Sequence, residues 1–107
     1  MRHLTQDDEQ LTRNLLEQLA QSVSEDLATL RALAADAPGE AVRALAHRIK
    51  GGAKMLKVRT LVHDCEAIEQ AHGQGLPTVD LRLQLQTSLE TLLDELGDAL
   101  NAIAASN

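Results

Sequence analysis

The 107-residue sequence contains no phenylalanine, tyrosine or tryptophan, and it has only one cysteine and two prolines. Without aromatic rings, the chain lacks the platforms on which single-stranded bases usually stack, and its formal charge of −6 argues against a surface for phosphate backbones. The single cysteine, Cys65, cannot form an intrachain disulfide, so nothing indicates an oxidising compartment. We therefore expect a cytoplasmic protein that binds no nucleic acid.

Long apolar runs are also absent. No stretch approaches the roughly 18 apolar residues that span a bilayer, and the N-terminus has no signal-peptide pattern. The hydrophobic residues, 44% of the total, are dispersed and are sufficient for one core. We predict a single domain over residues 1–107 with no direct membrane contact. We also expect a monomer, because a closed bundle should leave no apolar seam exposed.

The spacing of apolar residues predicts four α-helices, over about residues 5–35, 38–55, 59–72 and 78–104. In each segment, aliphatic residues recur at steps of three and four, which is the period of one helix face. Thr5 followed by Asp8 is typical of a helix start, and Gly73 is typical of a helix end. Because every connection is short, consecutive helices should pack antiparallel. The predicted fold is all-α, an antiparallel up-and-down four-helix bundle.

One histidine falls on the polar face of the second predicted helix. At about 100° per residue, His47 projects about 160° from the centre of the apolar arc, so it should face solvent. The neighbours on its side of the helix are Arg43, Lys50, Gly51 and Lys54, which form a stripe of positive charge. Exposed histidines and charged helix faces are usually ordinary solvated surface, and that interpretation stays open for these residues.

Adjacent glycines interrupt the same helix. Each costs about 1 kcal/mol relative to alanine in a helix interior, and a local rule broken in this way often marks function. Gly51 lies one turn from His47, so it should leave the imidazole open to an incoming protein. Gly52 falls toward the packed side, where a close contact between helices explains it equally well.

Two motifs surround and follow the histidine. They read Ala46-His47-x-Ile49-Lys50-Gly51-Gly52-Ala53-x-Met55-Leu56 and Leu61-x-x-x-Cys65-x-x-Ile68-Glu69. Together they resemble the histidine-containing phosphotransfer (HPt) domains of bacterial phosphorelays. The likeness is greatest to the C-terminal modules of unorthodox hybrid sensor histidine kinases. The motifs cover about a quarter of the chain, and the sequence departs from many members at Lys57-Val58, where those have Gly-Ala.

The resemblance implies that His47 accepts a phosphoryl group from a receiver-domain aspartate and passes it to an aspartate of a response regulator. Lys50, Gly51, Lys54 and Arg43 would then stabilise the phosphoryl group or dock the partner. The receiver would supply Mg²⁺, so the domain would need no metal or cofactor of its own and would have no autonomous activity. The resemblance also favours a place in the cytoplasmic C-terminal part of a membrane sensor kinase, and a free-standing phosphotransfer protein stays open as the alternative.

Two other functions remain open, a structural or adaptor bundle and the dimerisation segment of a histidine kinase. The second is disfavoured because that family's box has Glu or Asp after the histidine and a proline soon afterwards, whereas Arg48 follows His47. We interpret Cys65 as a core residue and not as a metal ligand with His63 and His72. Six acidic residues are interpreted as solvated helix faces: Asp64, Glu66, Glu69, Asp94, Glu95 and Asp98.

Overall fold

Four α-helices form in the residues that the computed structural model describes, which are 6–33 and 36–105. They are α1 (Gln6–Ala32), α2 (Gly39–Leu56), α3 (Arg59–Gly73) and α4 (Val79–Ala105). These two ranges contain no strand, so the predicted all-α fold is confirmed. The predicted helix ends agree to within three residues, and the predicted cap at Thr5 lies outside the described residues.

Contacts between the helices show the antiparallel arrangement. Glu40 near the start of α2 contacts His72 near the end of α3, whereas His47, further along α2, contacts the earlier Glu69 of α3. The α2–α3 and α1–α4 interfaces are the most extensive in the bundle. The α1–α2 interface is the least extensive of the four between neighbouring helices. The molecule is therefore two well-packed helix pairs that share one core.

The core is built from aliphatic side chains and one thiol. Full burial of a leucine or isoleucine contributes about 1.5–3 kcal/mol, so the seams at steps of three and four hold the helices together. Cys65 is completely buried, as predicted, and burial raises the pKa of its thiol to about 12. The largest fully buried side chains are Leu30, Ile68, Leu85, Leu89 and Cys65.

The first helix ends earlier than predicted, at Ala32 instead of near residue 35. Arg82 of α4 donates hydrogen bonds to the backbone carbonyls of Leu30, at 3.1 Å, and of Leu33. The last carbonyls of a helix have no partner within the helix. The guanidinium group of Arg82 supplies these carbonyls with a hydrogen-bond donor, and it holds the end of α1 against α4.

The second helix ends in a left-handed residue. Lys57 has a φ of 59°. The amide of Val58 donates to the carbonyl of Ala53 at 2.9 Å, and the amide of Lys57 donates to that of Lys54 at 3.2 Å. These two bonds form a Schellman motif, in which the left-handed position is usually glycine. Lys57, where this sequence departs from the family pattern, is therefore the residue of the turn at which glycine would be the least strained.

The expectation that no apolar seam stays exposed is wrong. Leu11 and Leu15 on α1 are 59% and 58% exposed, and Met55 and Leu56 at the end of α2 are also exposed. Leu56, the last residue of α2, lines the same shallow cavity as Leu19 of α1, so the end of α2 lies beside Leu19. The turns of α1 before Leu19 therefore extend past α2 and are not covered by the α2–α3 pair. None of the described helices is long and apolar enough to span a bilayer.

Candidate functional site

His47 lies in the middle of α2 with its side chain 66% exposed. The opposite face of α2 packs into the bundle and fixes the rotation of the helix about its axis. The exposed position agrees with the helical-wheel prediction. The buried residues on that opposite face are Val42, Leu45, Ala46, Ile49 and Ala53.

A carboxylate of α3 contacts the imidazole. Oε2 of Glu69 lies 3.3 Å from Nδ1 of His47, which is a long hydrogen bond. An ionised carboxylate can only accept, so we assign the ring hydrogen of the neutral imidazole to Nδ1. The lone pair then lies on Nε2. The contact therefore leaves Nε2 as the ring nitrogen that could act as a nucleophile.

The same carboxylate holds the nearest lysine. Nζ of Lys50 lies 2.8 Å from Oε1 of Glu69, and the two side chains are only 17% and 22% exposed. The hydrogen bond from Lys50 lowers the pKa of Glu69 below its ordinary value of 4.5; burial opposes this change, and the contact with His47 adds to it. Glu69 in turn raises the pKa of Lys50. Both groups therefore stay charged, and Glu69 bridges His47 to Lys50.

Arg43 lies one turn before His47 but is held by another carboxylate. Nε and Nη2 of Arg43 donate to the two oxygens of Glu40, at 2.9 and 2.6 Å. These hydrogen bonds lower the pKa of Glu40 and raise that of Arg43. Nε2 of His72, in the last turn of α3, lies 3.2 Å from Glu40 as well. Arg43 is thus positioned beside Glu40, and its hydrogen bonds go to that carboxylate and not to His47.

The remaining predicted residues lie on the open side of α2. Lys54 is exposed and forms no ion pair within the described part of the chain. Gly51 is exposed, and a Cβ atom there would meet nothing within 4 Å. A Cβ atom on Gly52 would also meet nothing within 4 Å, so the close helix contact that was one of its two interpretations is not formed; Gly52 lines the cavity between α1 and α2. Gly51 keeps the surface one turn from His47 free of a side chain.

Two acidic residues were misassigned to solvated surface. Asp64 is 9% exposed and accepts a hydrogen bond from the hydroxyl of Ser88. Its spacing of three from Leu61 and four from Ile68 places it on the core face, and that periodicity could have identified it. Glu69 follows Ile68 directly and lies at the edge of the same face. Its position in the second motif was the signal that could have identified it as a site residue. Glu66, Asp94, Glu95 and Asp98 are exposed, as predicted.

No group of three histidine, cysteine or acidic side chains within residues 6–33 and 36–105 is arranged to hold a metal ion. The structure brings together His47, Glu69 and Lys50, and it leaves Lys54 and Gly51 exposed on α2. Such a site can present a nucleophilic nitrogen next to a positive charge.

Comparisons with known proteins agree with this arrangement. The family model described as "Hpt domain" matches residues 14–105. The virulence sensor protein BvgS of Bordetella bronchiseptica is 34% identical over 85 residues, which is 78% of this chain and 7% of that protein. BvgS of Bordetella parapertussis is 34% identical over 79 residues, 73% of this chain and 6% of that protein. No solved structure gives a significant match.

The chain spans less than a tenth of the length of these relatives. The family model, in contrast, covers nearly all of the described residues. The exposed histidine on a four-helix bundle, the motifs around it and the matches together identify the chain as a member of the Hpt domain family, the histidine phosphotransfer domains of two-component phosphorelays.

Proposed function

We propose that His47 is the phosphoryl acceptor of this domain. It takes the group from an aspartyl phosphate of one receiver domain and passes it to an aspartate of another. The observation that carries this proposal is the hydrogen bond between Nδ1 of His47 and Glu69, which leaves Nε2 with its lone pair on an exposed face of α2. The other histidines of the described chain lack this combination of exposure and a charged bridge to lysine.

The transfer forms one bond and breaks one bond. Nε2 of the neutral imidazole attacks phosphorus, and the P–O bond to the aspartate breaks to regenerate the receiver's carboxylate. The product ring carries the phosphoryl group on Nε2 and a hydrogen on Nδ1, so it bears a positive charge beside the carboxylate of Glu69. A charge-assisted hydrogen bond of this kind is stronger than a neutral one. Glu69 therefore stabilises the ring charge that develops during transfer.

Positive side chains stabilise the other end of the product. A phosphoryl group brings roughly two negative charges, and Lys50 already lies next to the imidazole through their shared partner Glu69. Lys54 adds a cation two turns along the helix that has no competing ion pair among the described residues. We assign to both lysines a role in holding the phosphoryl group or in docking the receiver.

The receiver supplies the aspartate and Mg²⁺, and the domain contributes the acceptor imidazole. The open surface at Gly51 and the adjoining face of α1 are the site where the receiver docks. A receiver's phosphorylation pocket is rich in carboxylates, and the lysines around His47 match it in charge. We further propose that the domain acts in the cytoplasm as part of a larger sensor kinase, because its relatives are sensor proteins of much greater length.

The test is incubation with a receiver that carries a radiolabelled aspartyl phosphate. We expect label on the domain that is lost in acid and stable in base, as for a phosphohistidine. His47→Gln should abolish this label, whereas His63→Gln, an exposed histidine of α3, should retain it. Label that persists in His47→Gln would refute the assignment, and absence of label from the unchanged chain would favour an adaptor bundle. The family match already speaks against a kinase dimerisation segment.

A further inference from the structure

The charged residues between α2 and α3 form two clusters of the same composition. In each, a carboxylate bridges a histidine ring nitrogen and a cation: Glu69 joins His47 to Lys50, and Glu40 joins His72 to Arg43. The first cluster contains the proposed acceptor. The second lies one to two turns toward the start of α2, and the proposed function does not account for it.

His72 is not a second acceptor, because one of its nitrogens has a partner and the other lies against the start of α2. Nε2 lies 3.2 Å from Glu40, and Nδ1 is so close to the start of α2 that a Cβ atom on Gly39 would lie 2.9 Å from it. The ring is one-third exposed, against two-thirds for His47. The contacts of His72 therefore make it a fixed partner for Glu40.

The two cations differ in how firmly they are held. The Lys50–Glu69 pair is largely shielded from solvent, whereas the side chain of Glu40 is 63% exposed. An exposed ion pair contributes little to stability, because water and salt screen it. Arg43 can therefore leave Glu40 at small cost when a stronger anion comes within reach.

A phosphoryl group on His47 would be such an anion. Arg43 and His47 are four residues apart in α2, so they are surface neighbours with their Cβ atoms about 5–6 Å apart. Guanidinium groups bind phosphoryl oxygens through two parallel hydrogen bonds. Glu40 would not be left alone, since His72 remains beside it.

We propose that phosphorylation of His47 draws the guanidinium of Arg43 from Glu40 to the phosphoryl oxygens, and that Glu40 is a positioning residue that opposes this movement. The inference rests on the proposed role of His47. Glu40 contacts neither the imidazole nor the incoming group, so it acts through Arg43. Its effect is to shift the equilibrium away from the phosphorylated domain, toward the phosphorylated receiver.

The test is the equilibrium distribution of phosphoryl group between a receiver and the full chain at saturating Mg²⁺. An equilibrium between the free proteins does not depend on how tightly they dock. We expect Arg43→Gln to lower the phosphorylated fraction of the domain, by roughly three- to fivefold in the equilibrium constant, and Glu40→Gln to raise it by a similar factor. As a control, Glu95→Gln removes the charge of an exposed residue on α4 and should leave the equilibrium constant unchanged.

The double variant decides how Glu40 acts. If Glu40 works through Arg43, Glu40→Gln with Arg43→Gln should match Arg43→Gln alone. If the two changes are instead additive, Glu40 acts only as a distant negative charge and the inference is overturned.

A second measurement needs no receiver. Phosphoramidate can donate its phosphoryl group to Nε2 of His47 with breakage of its P–N bond and release of ammonia. We expect the ¹⁵N NMR signal of Arg43 Nε to shift on this reaction. The signal is assigned by its absence from the spectrum of Arg43→Gln. A phosphorylated His47 with an unchanged Arg43 signal would overturn the inference alone. Failure of both donors to label His47 would overturn the proposed function as well.

Discussion

At the scale of single residues, the carboxylate of Glu69 joins the two side chains to which the proposed phosphotransfer assigns roles, His47 and Lys50. Its contacts with His47 at 3.3 Å and Lys50 at 2.8 Å set the hydrogen position on the imidazole and keep the lysine charged nearby. Glutamine in its place could still accept one hydrogen bond, but it would carry no charge. The role of the carboxylate is therefore separable from that of a hydrogen-bond acceptor.

We expect Glu69→Gln to slow phosphotransfer to His47 by about tenfold, because a charge-assisted hydrogen bond is exchanged for a neutral one while the ring becomes positive. Stopped-flow or quenched-flow transfer from a phosphorylated receiver measures the rate. Glu66→Gln removes the charge of an exposed residue on the same helix and should have little effect. Equal rates in Glu69→Gln and the unchanged chain would contradict the role given to the carboxylate.

Glu69 also contributes to the pH dependence of stability. Lys50 holds its pKa in the folded state below the ordinary 4.5, so the fold favours the charged carboxylate. The resulting stabilisation is present above pH 4.5 and is lost as the pH falls through the folded-state pKa. The difference in free energy of unfolding between the unchanged chain and Glu69→Gln should therefore shrink below about pH 4.5. Urea unfolding between pH 6 and pH 3 measures it, and a difference independent of pH would contradict the linkage.

In the proposed function, Gly51 provides docking space because it has no side chain. We expect Gly51→Glu to weaken receiver binding by about tenfold or more, with helix content nearly unchanged, because a Cβ atom there meets nothing within 4 Å and the new side chain projects outward. Calorimetric titration and circular dichroism measure the two quantities. Gly51→Gln has similar bulk without the charge and should also weaken binding. Normal affinity in Gly51→Gln would mean that charge, and not space, governs docking.

The sequence alone predicted the exposure of His47 because the apolar arc of its helix is unambiguous. It could not predict that Lys50 is held by Glu69, because that pairing depends on which residues of α3 lie opposite α2 and on how far each side chain reaches. The openness of Gly52 was missed for a related reason, since the width of the gap between α1 and α2 is a property of two helices. The pair of Arg43 with Glu40 is different, since the two residues lie three positions apart in α2 and that spacing was an available signal.

At the scale of helices, the end of α2 shows a local conflict between residue type and backbone. Lys57 adopts the left-handed conformation, which costs a residue with a Cβ atom roughly 1–2 kcal/mol. The Schellman hydrogen bonds and the half-buried Val58 that follows hold it there. The turn between α2 and α3 therefore forms at some cost in stability.

We expect Lys57→Gly to raise the free energy of unfolding by about 0.5–1 kcal/mol, because relief of the left-handed strain exceeds the entropy that glycine gains in the unfolded chain. Thermal or urea unfolding measures the change. Lys54→Gly, three residues earlier in regular helix, should lower the same quantity by about 1 kcal/mol. If both substitutions destabilise, the left-handed residue is not the origin of the effect.

Helix number and type were predictable because each segment repeats its apolar residues over several turns. The end of α1 was not, since Arg82 determines where its last carbonyls find partners, and that residue lies 49 positions later in the chain than Leu33. A contact between residues so far apart in sequence cannot be predicted from the spacing of apolar residues within α1.

At the scale of the whole molecule, the bundle is long and uneven. Its principal extents are 52 × 23 × 16 Å, and the longer helices α1 and α4 pack on each other past the end of the α2–α3 pair. This geometry leaves Leu11 and Leu15 exposed although their spacing marks them as core residues. Helical periodicity indicates which face is apolar, but only the relative lengths of the neighbours decide whether that face is covered.

The single thiol reports on the cooperativity of this core. Cys65 is fully buried and burial raises its pKa to about 12, so it should react with alkylating reagents only when the bundle opens. We expect alkylation at pH 8 to be slower by about a thousandfold or more than in denaturant. Mass spectrometry of timed samples measures the rate. Rapid labelling without denaturant would indicate that α3 separates from the bundle locally.

A core of aliphatic side chains in a chain without phenylalanine, tyrosine or tryptophan has a consequence for the study of its complexes. The domain contributes almost no ultraviolet emission or near-ultraviolet dichroism from rings. In a mixture with a receiver, the aromatic fluorescence and near-ultraviolet dichroism come from the receiver alone. A conformational change of the receiver on binding can therefore be followed without subtracting a contribution from this domain.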